Sequence, residues 1–262
     1  MTAPDNVLWV GGPPGAGKTT AASILARRHG MRLYSADTRT WEHRDCAIAA
    51  GNAAAIKWER LAVDRRRAAS DDELVAMALY RERGRMVTDD VAGLPDSPLV
   101  IAEGSVVRPA DLPPGAAAVW LLPPRELLAE RLRGRDGSVA RVYEVTSDAI
   151  TADVGVAGAP VVSFTDGAEV VAALELFFAS QLARGPRATS IEERRELLRQ
   201  ANLDIVSQVR GYYARPWAIG DSETVVRQFM CECADRDCTE FVYATVSSAS
   251  QQPVIAHPNA RG

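Results

Sequence analysis

Eight consecutive residues near the amino terminus constrain this chain more than any other feature. Gly12-Pro13-Pro14-Gly15-Ala16-Gly17-Lys18-Thr19 follows the apolar run Val7-Leu8-Trp9-Val10 and leads into a stretch of helical composition, Thr19 to His29. A short apolar run that ends in glycines reads as a buried parallel strand. Between such a strand and a helix, G-x-x-x-x-G-K-[ST] is a cradle for phosphate groups. Its glycines let successive backbone N–H groups turn inward around a concavity. The positive end of the following helix faces the same place. Lys18 would reach the β- and γ-phosphates, and the Thr19 hydroxyl would ligate Mg²⁺. Gly12, Pro13, Pro14, Gly15, Ala16, Gly17, Lys18, Thr19 and Thr20 are therefore the expected nucleotide-binding residues, with ATP and Mg²⁺ as ligands; GTP satisfies the same cradle.

Further along, Gly30 is a natural helix stop, and Met31 to Ser35 reads as a second strand. From Thr38 to Arg85 the chain is helical, polar and rich in Arg, with a capping box at Ser70 and Glu73 followed by Leu74, Met77, Ala78 and Arg81 at helical spacing. Leu99 to Ala102, Ala117 to Leu122 and Val161 to Phe164 are further apolar strands. Pro123-Pro124 opens a helix over Arg125 to Arg133, and Ala168 to Leu182 forms the last helix of this unit. Strands alternating with helices predict an α/β protein, a P-loop NTPase three-layer fold with a five-stranded parallel sheet. Gly185-Pro186 marks a boundary between a nucleotide-binding domain at 1–185 and a C-terminal segment at 186–262. The latter opens with a second capping box, Ser190 and Glu193, on a helix to about Gly211, and continues as a Cys-rich β module.

Phosphate binding alone does not say whether phosphate is transferred. Asp37 stands just past the second strand, at the carboxyl edge of the sheet where open α/β sheets bind ligands. There it could take the proton of an acceptor hydroxyl or hold Mg²⁺ through water, or it could merely cap the next helix. Glu103 closes the strand from Leu99 as a second Mg²⁺ candidate, unless it is a plain solvated strand end. Arg131, Arg133 and Arg135 surround Gly134, where mobile arginines would neutralise charge on a transferred phosphoryl group. Arg39, His43, Arg44, Lys57 and Trp58 could bind an anionic acceptor, whereas Arg65-Arg66-Arg67 reads as a solvated helix face. Cys46 reads as a packed thiol.

Residues 7 to about 183 resemble the P-loop small-molecule kinases grouped with zeta toxins, chloramphenicol phosphotransferase and gluconate kinase. The likeness rests on Gly12 to Thr19, Asp37, Leu99 to Gly104, and Trp120-Leu121-Leu122-Pro123 leading to Glu130-Arg131-Leu132-Arg133-Gly134-Arg135. It implies ATP·Mg²⁺ as donor, Asp37 as base and the Arg131/Arg135 region as lid, so that Lys18, Asp37, Arg131 and Arg135 are the expected catalytic residues. No motif names the acceptor beyond a small hydroxyl-bearing molecule.

The tail carries Cys231-Glu232-Cys233, then Cys238, then His257. Three thiolates and an imidazole form a common tetrahedral zinc set, and a short segment with few large apolar groups needs such a staple. Four protein ligands leave no open position, so the expected Zn²⁺ is structural. Phe229-Met230-Cys231-Glu232-Cys233-Ala234-Asp235 is also similar to a C-terminal module found on diverse bacterial regulatory proteins. In that module Gly often follows the second cysteine; here Ala234 stands in its place.

A net charge of −4 argues against general nucleic-acid binding. No signal peptide or membrane span is visible, which predicts a cytoplasmic protein without membrane partners. The expected activity is ATP-dependent phosphotransfer to a small-molecule hydroxyl. Its rivals are a regulatory nucleotide-binding protein whose zinc tail engages a protein partner, and a toxin-like kinase of a nucleotide sugar.

Overall fold

The computed structural model describes residues 6–62, 65–66, 68–133, 137–164 and 167–257, with the side chains of 137–140 and 167–168 outside that description. Five strands form one parallel sheet: β1 Val7–Gly11, β2 Arg32–Ser35, β3 Val100–Gly104, β4 Ala117–Leu121 and β5 Val161–Val162. Their order is β2-β3-β1-β4-β5, so β1 is central and its neighbours lie far along the chain. The alternation of β1 side chains builds both cores. Leu8 and Val10 pack on one face with Leu25, Leu174 and Phe178; Val7 and Trp9 pack on the other with Tyr80, Val87 and Ile150. The protein is thus an α/β P-loop NTPase-like fold with helices on both faces, plus a small antiparallel sheet near the C-terminus.

The helices are α1 Lys18–His29, α2 Thr40–Ala49, α3 Ala53–Arg60, α4 Asp71–Met77, α5 Tyr80–Ala92, α6 Arg125–Arg133, α7 Gly137–Ala157, α8 Gly167–Phe177, α9 Ala179–Arg184, α10 Ile191–Tyr213 and α11 Val246–Gln251. Both expected capping boxes are formed, at Ser70 with Glu73 and at Ser190 with Glu193. The helix expected to run on past Ala78 instead breaks. Leu79 takes a left-handed φ of 56° and is fully buried beside Ala47 and Ala55. Burying that leucine outweighs helical continuity, and the turn re-aims α5 so that Arg83 points back at the end of β2. The single helix expected over Ala168 to Leu182 is likewise split at Phe178, which is fully buried.

The C-terminal segment packs on the parallel sheet rather than standing off from it. Helix α10 lies along β2, and a third small core joins Val206 and Val209 to Phe229 and Val246. Strands β6 Val226–Met230 and β7 Phe241–Thr245 form the antiparallel pair. Asn202 ties the helix to it, donating to the Met230 carbonyl (2.9 Å) and accepting from the Met230 N–H (2.9 Å). Among the described residues no helix is long and apolar enough to cross a membrane.

Two expectations fail on burial. Cys46 is exposed, not packed, because α2 turns Ala47 inward in its place. Arg66 is buried, not solvated: its guanidinium lies over the rings of Trp58 (4.6 Å) and Trp217 (4.3 Å). An isolated helix face cannot reveal that two indoles from distant segments will cover it.

Candidate active site

The phosphate loop leaves the carboxyl end of the central strand, between β3 and β4, where the chain direction of the crossovers reverses. Gly12 holds φ at 136°, and a Cβ there would lie 2.4 Å from the Leu121 carbonyl oxygen. Gly17, left-handed at φ 86°, starts α1, whose first turn carries no acidic residue. Pro14, Gly15, Gly17, Lys18, Thr19 and Thr20 line a cleft of about 940 Å³, while Gly12, Pro13 and Ala16 are buried beneath the loop.

Lys18 is buried, and its Nζ donates to the Pro13 carbonyl (2.9 Å) and the Ser105 hydroxyl (3.1 Å). Thr19 Oγ1 donates to Glu103 Oε1 (3.0 Å), and Ser35 Oγ donates to the same oxygen. Glu103 is fully buried, and its Oε2 has no partner among the described residues. It is no solvated strand end. Burial first, and the charge of Asp37 second, push its carboxyl up to about 7 against the opposing pull of Lys18 and the two hydroxyl donors. A buried carboxylate with a free oxygen beside a threonine hydroxyl suits a divalent cation, whose charge would offset that cost.

Asp37 sits in a short 3₁₀ turn, Ala36–Arg39, and lines the same cleft as Lys18. Ser35 and Arg39 occupy the cap positions of the adjoining helices, so Asp37 is not a cap. The turn is held from behind. Arg83 Nη2 donates to the Ala36 carbonyl (2.5 Å), and its Nε donates to His43 Nδ1 (3.5 Å). With Nδ1 accepting, His43 Nε2 carries the proton and donates to Asp90 Oδ2 (2.9 Å), which also accepts from Tyr34 OH (2.6 Å). Burial drives the Arg83 pKa down, and Asp37 is the foremost negative charge opposing it. From the other side Gln208, on α10, donates to the Asp37 carbonyl (2.8 Å).

Arg131, at the end of α6, donates to the Gly15 carbonyl (3.2 Å) and stacks over Phe164. It lines the cleft; Arg133 is exposed, and Arg135 lies outside the described residues. Of the expected acceptor contacts, Arg44 and Trp58 line the cleft. His43 instead supports Arg83, Lys57 pairs with Glu73 at 2.5 Å, and Arg39 pairs with Glu42. Sequence reasoning missed Arg83, Asp90, Ser105 and Gln208. Only Ser105, two residues past Glu103 at a strand end, carried a local signal.

The second cluster lies in the tail. One ligand atom each from Cys231, Cys233, Cys238 and His257 falls within 4.8 Å of the others, and all four cysteines of the chain are free. The Ala256 N–H donates to Cys231 Sγ (3.2 Å). Ala234 takes φ 62°, the left-handed conformation that explains a glycine preference at this place. Burial pushes the Cys233 thiol up to about 12, with the neighbouring Cys238 and Cys231 adding to it. The donor set and its spacing fit a tetrahedral zinc ion. The cluster is fastened to the phosphate-loop helix: Arg27, on α1, donates to the carbonyls of Cys231 (2.8 Å) and Cys238, and Thr239 lines the cleft.

Comparison with known proteins places these features in context. A family model described as an AAA domain matches residues 8–151, more than half of the chain. Among solved structures, an unliganded sugar kinase from Janibacter sp. HTCC2649 is similar at 17% identity and a TM-score of 0.38, covering 70% of this chain and 98% of that one. No curated protein matches the chain.

Proposed function

The chain belongs to the AAA domain family matched over residues 8–151, and from that premise we propose that it is a phosphotransferase, moving the γ-phosphoryl group of ATP to a hydroxyl of a small acceptor. One observation carries the reading: Lys18, Thr19, Asp37 and Arg131 line a single cleft of about 940 Å³. Ligand pockets run roughly 300–1,000 Å³, so this cleft stands at the upper end and suits two molecules side by side. A nucleotide switch needs one carboxylate at the carboxyl edge of the sheet for Mg²⁺, the place Glu103 takes, and has no use for a second, Asp37, on a turn backed by a buried arginine.

In this mechanism Lys18 exchanges its contacts with Pro13 and Ser105 for the β- and γ-phosphate oxygens, and the loop N–H groups bind the rest. Thr19 and Glu103 would hold Mg²⁺, which would neutralise charge on the phosphates. Asp37 accepts the proton of the acceptor hydroxyl as its oxygen bonds to the γ-phosphorus and the bond to the β-phosphate oxygen breaks. Arg83 and Gln208 fix the turn that aims Asp37. Arg131 stabilises negative charge on the phosphoryl group in flight. Cys231, Cys233, Cys238 and His257 would hold a structural Zn²⁺, which would help keep the tail folded against α1.

The test is ATP consumption against a panel of hydroxylated small molecules, with Asp37→Asn as control. Acceptor-dependent turnover that drops at least about 100-fold in the variant, with nucleotide affinity kept, is the expected result. Turnover indifferent to Asp37→Asn would remove the proposed base. ATP hydrolysis that no acceptor stimulates would favour the switch reading, for which the contact of Gln208 on the Asp37 turn offers a physical link to the tail.

A further inference from the structure

The end of the cleft away from the phosphate loop contains a buried charge that no acid among the described residues meets in a hydrogen bond or ion pair. Arg44 lines it and is 4% exposed. Its Nη2 donates to the Met77 carbonyl (2.7 Å), while Nε and Nη1 find no acceptor among the described residues. The guanidinium lies over the Trp58 ring at 5.0 Å, and Arg66 stacks on the same ring at 4.6 Å. Arg66 is itself buried, with Nε and Nη2 unpaired among the described residues. Arg83 lines the cleft as well. The nearby acid, Glu59, lies 3.9 Å from Arg215 and acts on Arg44 through its charge alone, without a hydrogen bond to it.

Two buried guanidinium groups in one cleft, Arg44 and Arg83, with Arg66 stacked on the Trp58 ring that walls it, are a costly arrangement. A buried donor without a partner costs roughly 1–3 kcal/mol, and more when charged. Burial, with Arg83, Arg215 and Arg66 adding repulsion, brings the Arg44 pKa down to about 10. Even so Arg44 stays charged at neutral pH. A fold keeps such a group where a ligand brings the missing acceptor, and the planar fork of arginine suits a two-oxygen anion.

We propose that this end of the cleft is an oxyanion subsite: the acceptor carries a phosphate or carboxylate group that seats on Arg44, besides the hydroxyl it presents to Asp37. The inference rests on the phosphotransferase reading for the meaning of "acceptor", but the subsite itself is a binding property. Trp41 and Trp58 line the same end and would pack against the apolar body of the molecule. Arg83 stands between the two groups, donating to the turn that carries Asp37, so a seated anion and an aimed hydroxyl would be read by one connected set of side chains.

The experiment fills the phosphate loop first, with a non-hydrolysable ATP analogue and Mg²⁺, so that added anions cannot enter there. Glycerol 3-phosphate, glycerate and glycerol are then titrated by calorimetry into the wild type, Arg44→Met and Arg44→Lys. The expected result is binding of at least one of the two anions and not of glycerol, weakened at least about tenfold in Arg44→Met and less in Arg44→Lys. Preference between the two anions separates phosphate from carboxylate. Unchanged binding of the ATP analogue shows that each variant is folded. Equal affinities for all three probes, no binding of either anion, or affinities indifferent to Arg44→Met would overturn the subsite. Because no phosphoryl transfer is read, anion binding without acceptor-dependent turnover would fail the kinase reading and leave the subsite standing. Turnover of neutral hydroxyl compounds, unaffected by Arg44→Met, would do the reverse.

Discussion

Replacing Glu103 by glutamine should make the unliganded protein more stable while removing its activity, and the size of the gain should depend on pH. Glu103 is fully buried at the end of β3, with one oxygen taken by Thr19 and Ser35 and the other unpaired. Its carboxyl is raised from 4.5 to about 7. Between those values the native state holds a proton that the unfolded state has released. Stability therefore falls as pH rises through this window. At about 1.4 kcal/mol per tenfold, the gap is worth about 3 kcal/mol. The stabilising contribution is complete below pH 4.5 and gone above about pH 7. Glutamine cannot ionise, yet its Oε1 still accepts from Thr19 and Ser35. Urea unfolding of wild type and Glu103→Gln should coincide near pH 4 and separate by about 3 kcal/mol, in favour of the variant, at pH 8. Groups that do not act on Glu103 contribute equally to both proteins and cancel. Asp37 and Lys18, whose charges act on it, do not, so the figure belongs to this cluster of interacting charges rather than to Glu103 alone. A difference that stays flat from pH 4 to pH 8 would refute the reasoning. In the Mg²⁺·nucleotide complex the advantage should reverse, because the cation needs the carboxylate. Near pH 7 its binding to the wild type should release a proton, read from calorimetry in buffers of different ionisation enthalpy.

Three further outcomes follow from other parts of the structure. Stripping the metal from the cluster of Cys231, Cys233, Cys238 and His257 should weaken nucleotide binding several-fold, because Arg27 and Thr239 connect that loop to α1 and the cleft. Metal analysis and nucleotide titration before and after chelation check this, and a metal-free wild type or an unchanged affinity would end it. Gly12→Ala should abolish nucleotide binding and lower stability by about 1–3 kcal/mol, since its φ of 136° and the Leu121 carbonyl leave no place for a Cβ; a thermal melt with and without ATP reads both effects. Asn202→Leu should cost about 2–4 kcal/mol in urea unfolding, because it leaves the N–H and C=O of Met230 unpaired between α10 and β6.

Much of the framework was legible in local sequence. The strand-glycine-helix junction at Val7 to Thr19 announced the central strand and the loop on it, because backbone freedom and helix polarity act within a few residues of one another. Both capping boxes were legible for the same reason. Asp37 was placed at the sheet edge by counting one strand further. What escaped were residues whose role depends on partners far away in the chain. Arg83 matters because a buried leucine at 79 turns its helix toward Ala36. Arg66 is covered by Trp58 and Trp217, which no periodicity relates. His43, a candidate ligand by type, proves to be a strut between Arg83 and Asp90.

The sequence by itself determined the loop proposed to hold phosphate, since that loop is made of consecutive backbone groups and needs no distant partner. It also determined which four side chains of the tail have the chemistry to share a metal. Only the tertiary structure decided the company these groups keep: Glu103 sealed between two hydroxyls and near Asp37, Arg44 buried with two nitrogens unpaired among the described residues, and the cysteine loop joined through Arg27 to the phosphate-loop helix. The physical reason is that pKa, desolvation and unpaired charge are properties of a surrounding volume. That volume is filled by residues more than two hundred positions apart, such as Arg27 and Cys231 (|i−j| = 204).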